Sequence, residues 1–315
     1  MGRAVARVEM RVCIVGCGAV GSLFAANLGT LEDVEVWAYD LSRDHVDAIN
    51  RNGLRLVGAG ELVGKVNATA DPGELPPCDF GIVATKAMHT DAAVAATAGA
   101  FAEGSVATVQ NGIGNEEVVA RHCARVIRGT TFPAGKVIEP GVVNWDIKGD
   151  TTIGPFEPQP APTAEIERLA EACTRAGMPT HAVADARGPQ WRKVIFNAAT
   201  NPLGALSGLP HGVMCEQPPL RRLASRLVDE GKAVAAAQGI ELDSDPEDLI
   251  DFAARPEVGY NHKASMLQDV EARQQTEVDF LNGGIVEFGR RYEIATPANE
   301  TIWALVKGVE ASWNL

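Results

Sequence analysis

A glycine-rich turn directly after the first apolar run constrains the fold of this chain more than any other feature. The run Arg11–Val15 is largely apolar, as expected of a strand buried on both faces of a sheet. Gly16, Gly18 and Gly21 follow it, and a segment of helical length and composition extends from Ala19 to Leu28. The order strand, glycine turn, helix predicts the opening unit of an α/β sheet.

Short apolar runs separated by helix-like segments continue through the first half of the chain. The next runs are Val34–Tyr39, 80–84 and 105–109, and an Ala-rich helical segment spans 91–102. Alternation of this kind predicts a parallel sheet covered by helices on both faces. From about residue 130 to residue 183 we expect strands with tight turns near Gly141, a proline-rich loop at 155–162, a helix at 163–176 and a last strand at 179–183.

Strand signals disappear after about residue 185, and long helical segments dominate to the end, with a candidate capping sequence at 244–247. The fold class predicted is therefore α/β, a Rossmann-type parallel-sheet domain followed by an all-helical domain. We place the first domain at residues 1–185 and the second, for substrate binding and dimerisation, at residues 186–315.

Composition excludes several classes of protein. The chain has 315 residues, 28 Lys and Arg against 41 Asp and Glu, and a net charge of −13, which argues against a nucleic-acid partner. The longest uncharged stretch, 194–215, is broken by Asn, Pro and His residues, so no membrane span is expected. Residues 1–10 lack the apolar core of a signal peptide, and we expect 1–9 to be a loose extension.

Six cysteines are scattered along the chain without a C-x-x-C pair. This spacing predicts reduced thiols, a cytoplasmic location and no metal site.

The glycine turn fits the fingerprint G-x-G-x-x-G in the context that dinucleotide binding requires. The first glycine permits the tight turn, the second lets backbone approach a pyrophosphate, and the third lets the helix pack on the strand. The helix N-terminus then attracts the phosphate charge. The residues predicted to bind a dinucleotide here are Gly16, Cys17, Gly18, Ala19, Val20 and Gly21.

The end of the second strand indicates which dinucleotide is used. Asp40 lies 19 residues after Gly21, near the usual spacing of the acid that binds the ribose of NAD. A carboxylate there repels the 2′-phosphate of NADP, although Arg43 could offset the repulsion. The alternative is that Asp40 caps a helix beginning at Leu41.

Three polar residues share one stripe of a predicted helix in an otherwise apolar run. Lys193, Asn197 and Asn201 are spaced i, i+4, i+8. Buried polar groups cost free energy unless they have partners. A ligand would supply partners, and a satisfied polar contact between two helices is the alternative.

With these motifs in view, the chain resembles the ketopantoate reductase family from Met10 onward. The resemblance rests on the fingerprint together with Lys86, the sequence Gln110-Asn111-Gly112, residues 129–132, 191–193, Asn197, Asn201-Pro202, 265–269, 276–279 and Asn282-Gly283. It implies a Rossmann domain followed by a helical domain, a small 2-oxo acid as substrate, and NADPH as the usual cofactor. Independently of the resemblance, the apolar helical half could supply the interface of a homodimer.

The resemblance implies a role for each matching residue. Lys193 would be the general acid that protonates the carbonyl oxygen as hydride arrives, and Glu277 would bind a substrate hydroxyl and pair with the lysine. Asn197, Asn201 and Ser265 would bind or orient the substrate. Lys86 and Asn111 would face the nicotinamide half of the cofactor, and Asn111 the substrate also. Read without the resemblance, Lys86 is a surface lysine, Ser265 a helix cap and Glu277 a solvated charge.

Two positions depart from the family pattern. His211 stands ten residues after Asn201, where members carry a substrate-binding asparagine. Asp40 stands where many members carry an arginine suited to NADPH, and an acid there resembles the branch that uses NADH on bulky 2-oxo acids, including D-mandelate dehydrogenases. The resemblance therefore implies a 2-dehydropantoate 2-reductase, with an NAD-dependent D-2-hydroxyacid dehydrogenase of mandelate type as the alternative. A non-catalytic dinucleotide sensor is an alternative of another class.

Overall fold

The computed structural model describes residues 8–313, which form two compact units. The first unit comprises residues 8–110 and 115–186, and the second comprises 111–114 and 187–313. Residues 111–114, expected in the first domain, thus group with the helical unit. Of the predicted extension, residues 1–7 lie outside the described residues, whereas Glu9 donates its backbone N–H to Asp33 O at 3.0 Å.

The described part of the first unit contains the strands of both sheets, five α-helices and three short 3-10 helices. The strands are β1 Met10–Val15, β2 Val34–Tyr39, β3 Leu54–Gly58, β4 Leu62–Gly64, β5 Asn67–Thr69, β6 Phe80–Val83, β7 Ser105–Thr108, β8 Val126–Thr131, β9 Ala134–Glu139, β10 Val142–Ile147, β11 Thr151–Pro155 and β12 Thr180–Ala182. The α-helices are α1 Ala19–Leu28, α2 Arg43–Asn52, α3 Thr90–Thr97, α4 Asn115–Val119 and α5 Thr163–Arg175.

Eight of these strands form one sheet in the order β12-β11-β8-β7-β6-β1-β2-β5. Every pairing is parallel except β8 with β11. The chain passes from β1 to β2 on one side and returns to β6 on the other, so β1 lies where the strand order reverses. Ligands of open α/β sheets bind at the carboxyl end of such a strand, and the glycine turn follows β1 there. The predicted Rossmann-type class is confirmed.

Burial on both faces explains the apolar character of β1. Val12 and Ile14 belong to one core cluster with Phe24 of α1, whereas Cys13 and Val15 belong to the cluster on the opposite face. Alternate residues of a strand point to opposite faces, and both faces here are covered.

A second sheet of four strands, in the order β4-β3-β10-β9, was not predicted. β10 pairs in parallel with β3, although the two are far apart in sequence. β9 and β10 are joined at the predicted turn, where Gly141 has φ of +77°. The short strands β3 and β4 have no extended apolar run, which is why sequence periodicity missed this sheet.

Within its described residues the second unit contains helices joined by loops and no strands. Its helices are α6 Arg187–Ser207, α7 His211–Cys215, α8 Pro218–Ala237, α9 Pro246–Ala253, α10 Ser265–Glu271, α11 Asn282–Arg291 and α12 Pro297–Ser312. α6 packs against α8, α9, α10 and α12, so this helix forms the centre of the unit. Asp245, rather than Ser244, caps α9, because its carboxylate accepts the N–H of Glu247 at 3.0 Å.

Among residues 8–313, none of the helices is both long enough and apolar enough to cross a membrane.

Candidate functional site

The glycine turn after β1 has a backbone that only glycine fits at two of its three glycine positions. Gly16 has φ of +90°, and a Cβ there would lie 2.5 Å from Thr85 Cγ2. A Cβ on Gly21 would lie 2.0 Å from the carbonyl oxygen of Gly16. Gly18 differs, because a Cβ there meets no atom within 4 Å. Gly16 and Gly21 are therefore required by the protein itself, while the space beside Gly18 is open.

The N-terminus of α1 is suited to a phosphate group. Its N-cap, Gly18, has no side chain to satisfy the first N–H groups, and the first turn carries no acidic residue. The neighbouring Cys17 is buried, and burial raises the pKa of its thiol to about 12, so it adds no negative charge at neutral pH. Unsatisfied N–H groups and the helix dipole both favour an anion here.

The carboxylate of Asp40 is held beside this turn by two backbone hydrogen bonds. Oδ2 accepts the N–H of Cys17 and Oδ1 accepts the N–H of Ser42, both at 2.8 Å. α2 begins at Arg43 with Ser42 as its N-cap, so Asp40 is not the cap of that helix. Asp40 instead joins the end of β2 to the fingerprint, where a dinucleotide's ribose is bound in Rossmann folds.

Lys86 follows β6 and precedes a short 3-10 helix, Ala87–His89. The loop that carries it is fastened by Gln110, a residue that the sequence analysis did not assign to the site. The amide nitrogen of Gln110 donates to Thr85 O at 2.9 Å and to Thr90 Oγ1 at 2.7 Å. These bonds join the loops that follow the carboxyl ends of β6 and β7. In the sequence, the signal for this role is an amide directly after an apolar run.

In the second unit, Lys193, Asn111 and Glu277 form a continuous polar chain. Lys193 Nζ donates to Asn111 Oδ1 at 2.8 Å, and Asn111 Nδ2 donates to Glu277 Oε2 at 3.2 Å. Asn111, predicted to contact cofactor and substrate, thus links the other two residues. Glu277 is buried, with 6% of its surface exposed, and is not a solvated charge.

The surroundings of Lys193 alter its acidity. Burial lowers the pKa of its ammonium to about 8, and the nearby carboxylate of Glu277 raises that pKa in opposition. The residue as a whole is half-buried, and desolvation of its amine is the larger of the two effects on its pKa. A lysine with a pKa near neutral can exchange its proton with a reacting group.

Gly112 explains how Asn111 reaches Glu277. Gly112 has φ of +88°, and a Cβ there would lie 2.6 Å from Phe280 Cβ. The N–H of Ile113 donates to Phe280 O at 3.1 Å. Segment 111–114 therefore lies directly against the 277–280 turn, an approach that any larger residue at position 112 would prevent.

Asn197 and Asn201 lie one and two turns after Lys193 in α6, and each is 7% exposed. Within the described residues, neither amide nitrogen donates a hydrogen bond, and Asn201 Oδ1 accepts only a long one, 3.5 Å from Thr200 Oγ1. Largely buried amide donors need a partner, which water or a ligand can supply, so both side chains are available to bind a ligand.

Ser265 and His211 have different surroundings. Ser265 is exposed and is the first residue of α10, whose N-cap is Ala264, so it is not a helix cap. His211 is 8% exposed and its ring nitrogen Nε2 lies 3.1 Å from Ile250 O. Burial lowers the pKa of His211, which favours the neutral ring. These contacts give His211 a packing role and offer little support for substrate binding.

The first unit has a Rossmann-type sheet with an open fingerprint, and the second has a lysine whose pKa is lowered by burial beside a carboxylate. These features are typical of a dinucleotide-dependent oxidoreductase. Comparison with known proteins makes the class specific. The family model "Ketopantoate reductase PanE/ApbA" matches residues 12–158, and "Ketopantoate reductase PanE/ApbA C terminal" matches residues 185–310. The chain belongs to the ketopantoate reductase family, whose members are NAD(P)H-dependent.

Relatives cover nearly the whole chain. The 2-dehydropantoate 2-reductase of Pyrococcus abyssi is 38% identical over 306 residues, covering 96% of this chain and 98% of that protein. The protein of the same name from Pyrococcus horikoshii is 37% identical over 309 residues, with the same shares covered.

Two solved structures are similar to this chain over nearly its whole length. A PanE/ApbA family ketopantoate reductase from Ralstonia eutropha is 30% identical, with a TM-score of 0.87 over 97% of this chain and 100% of its own. D-mandelate dehydrogenase, solved with NADH and anilino(oxo)acetate, is 25% identical, with a TM-score of 0.89 and the same coverage.

Proposed function

We propose that the protein is a 2-dehydropantoate 2-reductase, which reduces the 2-oxo group of ketopantoate to the hydroxyl of (R)-pantoate with NADH or NADPH. The observation that carries the proposal is the chain Lys193–Asn111–Glu277 in a protein 38% identical to a reductase of that name. The alternative of a non-catalytic sensor is not retained, because the chain belongs to a family of reductases.

The fingerprint residues and Asp40 would hold the dinucleotide, whose reduced nicotinamide supplies the hydride. Support comes from the open space beside Gly18, the uncapped start of α1 and the fixed carboxylate of Asp40. Lys86 would contact the cofactor from the loop that Gln110 fastens.

Lys193 would hold the proton that the substrate oxygen receives. As hydride reaches the carbonyl carbon, negative charge develops on the oxygen, and an ammonium stabilises it before the proton moves from Nζ. A pKa of about 8 keeps Lys193 mostly protonated at neutral pH and makes it a stronger acid than an ordinary lysine.

The other polar residues of α6 and its neighbours would position the substrate. Asn197 and Asn201 have unused amide donors for its oxygens, and Ser265 would hydrogen-bond its carboxylate. Glu277 would accept a hydrogen bond from the substrate hydroxyl while its charge keeps Lys193 protonated. Asn111 would keep lysine and carboxylate apart and aligned.

One observation favours a second function, an NADH-dependent D-2-hydroxyacid dehydrogenase of mandelate type. Asp40 cannot turn away without losing two backbone hydrogen bonds, so it opposes the 2′-phosphate of NADPH. We therefore propose NADH as an accepted cofactor in either case. The predicted homodimer and cytoplasmic location stay predictions.

Steady-state kinetics with ketopantoate and benzoylformate, each with NADH and NADPH, separate the two functions. We expect the highest kcat/KM with ketopantoate. A kcat/KM for benzoylformate that exceeds it by tenfold or more would assign the mandelate-type function. The absence of cofactor oxidation with both substrates would reject both.

A further inference from the structure

Pro202 lies inside α6, the helix that carries Lys193, Asn197 and Asn201. Proline has no backbone N–H, so the carbonyl four residues earlier lacks the hydrogen bond that residue 202 would otherwise donate. That carbonyl belongs to Ala198, which is fully buried. Water cannot reach it, so a donor from elsewhere in the protein is required.

Asn282 supplies this donor from another helix. It is the first residue of α11 and is fully buried, and its Nδ2 lies 2.9 Å from Ala198 O. The motif Asn282-Gly283 contributes no group to the proposed chemistry, so this contact gives the asparagine a distinct role.

A chain of hydrogen bonds sets the direction in which the Asn282 amide points. Glu230, on α8, accepts the N–H groups of Ala298 and Asn299 at the start of α12, at 2.8 and 2.9 Å. Its carboxylate also accepts Asn299 Nδ2 at 2.7 Å, which leaves Asn299 Oδ1 to accept Asn282 Nδ2 at 3.0 Å. The Asn282 amide must therefore point its nitrogen toward Asn299 Oδ1. The second proton on that nitrogen is donated to Ala198 O.

In the described part of the chain, this orientation leaves the oxygen of the Asn282 amide without a hydrogen bond. Asn282 Oδ1 is buried and has no hydrogen-bond partner within residues 8–313. The amide is thus oriented entirely by its two donated bonds, one to the network and one to the carbonyl that Pro202 leaves without a donor.

The missing hydrogen bond falls within the stretch of α6 that carries the predicted site residues. Ala198 directly follows Asn197, and Pro202 directly follows Asn201, so Lys193 and Asn197 precede the missing bond while Asn201 lies between its two ends. We infer that Asn282 is a positioning residue that replaces the hydrogen bond lost at Pro202 and so keeps Lys193, Asn197 and Asn201 in one reactive arrangement. This inference rests on the proposed function.

The test is a double-mutant cycle in which a backbone N–H is returned to the helix. Asn282→Leu removes the donor and keeps the same number of side-chain heavy atoms. We expect kcat for the preferred 2-oxo acid to fall about tenfold to a hundredfold at 20 °C, the scale of a small misplacement of catalytic groups, with cofactor affinity unchanged. Pro202→Ala supplies an N–H to Ala198, so the double mutant should recover kcat to within about threefold of Pro202→Ala alone.

Two further measurements distinguish positioning from stability. Gln238→Leu, which removes an amide that donates to Val234 O in the same unit, serves as the matched control and should leave kcat within about twofold. Unfolding temperatures of all variants show whether each is folded at the assay temperature. If Asn282→Leu does not fold alone, restored folding and kcat in the double mutant support the inference.

Several outcomes would overturn it. Coupling in unfolding temperature without coupling in kcat would reduce Asn282 to a structural residue. An unchanged kcat in Asn282→Leu, or a double mutant as impaired as Asn282→Leu, would reject the pairing. Absence of turnover by the wild type would instead reject the proposed function, while the unfolding temperatures would still report the pairing of Asn282 with Pro202.

Discussion

The fingerprint of the first unit and the polar chain of the second serve the proposed reaction by different means. The fingerprint lies within residues 16–21 and offers backbone N–H groups. It requires residues without side chains at its glycine positions. The polar chain joins residues 111, 193 and 277, which are far apart in sequence, and it depends on particular side chains. Substitutions in the first region should therefore act through shape and cofactor affinity, and those in the second through the chemical step.

The largest effect is expected at Lys193. Lys193→Ala removes the group that carries the proton, so kcat should fall by about 10²–10⁴-fold with cofactor affinity nearly unchanged. Rapid-mixing and steady-state kinetics measure the loss, with the exposed Lys136→Ala as the control for a lost positive charge. A variant that retains most of its kcat would remove the lysine from the chemistry.

The glycines of the fingerprint should respond differently from one another. Gly18→Ala adds a methyl group to open space, so unfolding temperature should hold while dinucleotide affinity falls about tenfold or more. Gly21→Ala drives a methyl group into Gly16 O and should cost about 1–3 kcal/mol of folding free energy as well. Calorimetric titration and thermal unfolding check both; equal dinucleotide affinity in Gly18→Ala and wild type would contradict the assigned phosphate position.

The preference for NADH or NADPH tests whether the side chain of Asp40 contributes to cofactor binding in the first unit. The negative charges of Asp40 and a 2′-phosphate repel each other. If solvent and salt reduce this repulsion to about 1 kcal/mol, it still weakens the binding of NADPH by about fivefold. Asp40→Asn should therefore shift the NADPH/NADH ratio of kcat/KM at least about fivefold toward NADPH. Asp47→Asn, an equal change of charge on the exposed face of α2, should leave the ratio unchanged. The same ratio in Asp40→Asn as in wild type would mean that Asp40 only braces the turn.

The smallest effect is expected at Glu277. Its carboxylate raises the pKa of Lys193, so Glu277→Gln should move the alkaline fall of kcat/KM to lower pH and reduce kcat/KM at pH 8 by about twofold to tenfold. Glutamine can still accept the hydrogen bond from Asn111, which isolates the effect of charge. Glu287→Gln, on the exposed face of α11, is the control. An unmoved pH profile would leave Glu277 without influence on the lysine.

The two regions also differ in how well the sequence predicts them. Gly16, Gly18 and Gly21 sit between a strand and a helix that periodicity finds, and the observed β1 and α1 begin or end within a residue of the predicted limits. The stripe of Lys193, Asn197 and Asn201 follows from helical spacing alone. Local patterns suffice wherever the interacting groups are neighbours in sequence.

Local sequence patterns could not predict contacts between segments that are distant in sequence. Asn111 meets Lys193 because Gly112 allows a close approach to Phe280, and nothing in the sequence pairs those segments. The parallel pairing of β3 with β10 and the bond from Asn282 to Ala198 have the same character. The roles of the site residues and the domain limits stay predictions.

The central claim, that Lys193 is the proton donor, is tested most directly by the pH dependence of kcat/KM for ketopantoate reduction by the wild type. Reduction needs the protonated amine, so the burial-lowered pKa predicts a plateau at low pH and a fall of about tenfold per pH unit above about pH 8. Pantoate oxidation needs the neutral amine and should rise through the same range. A reduction rate that stays constant to pH 10 in wild type would contradict the account.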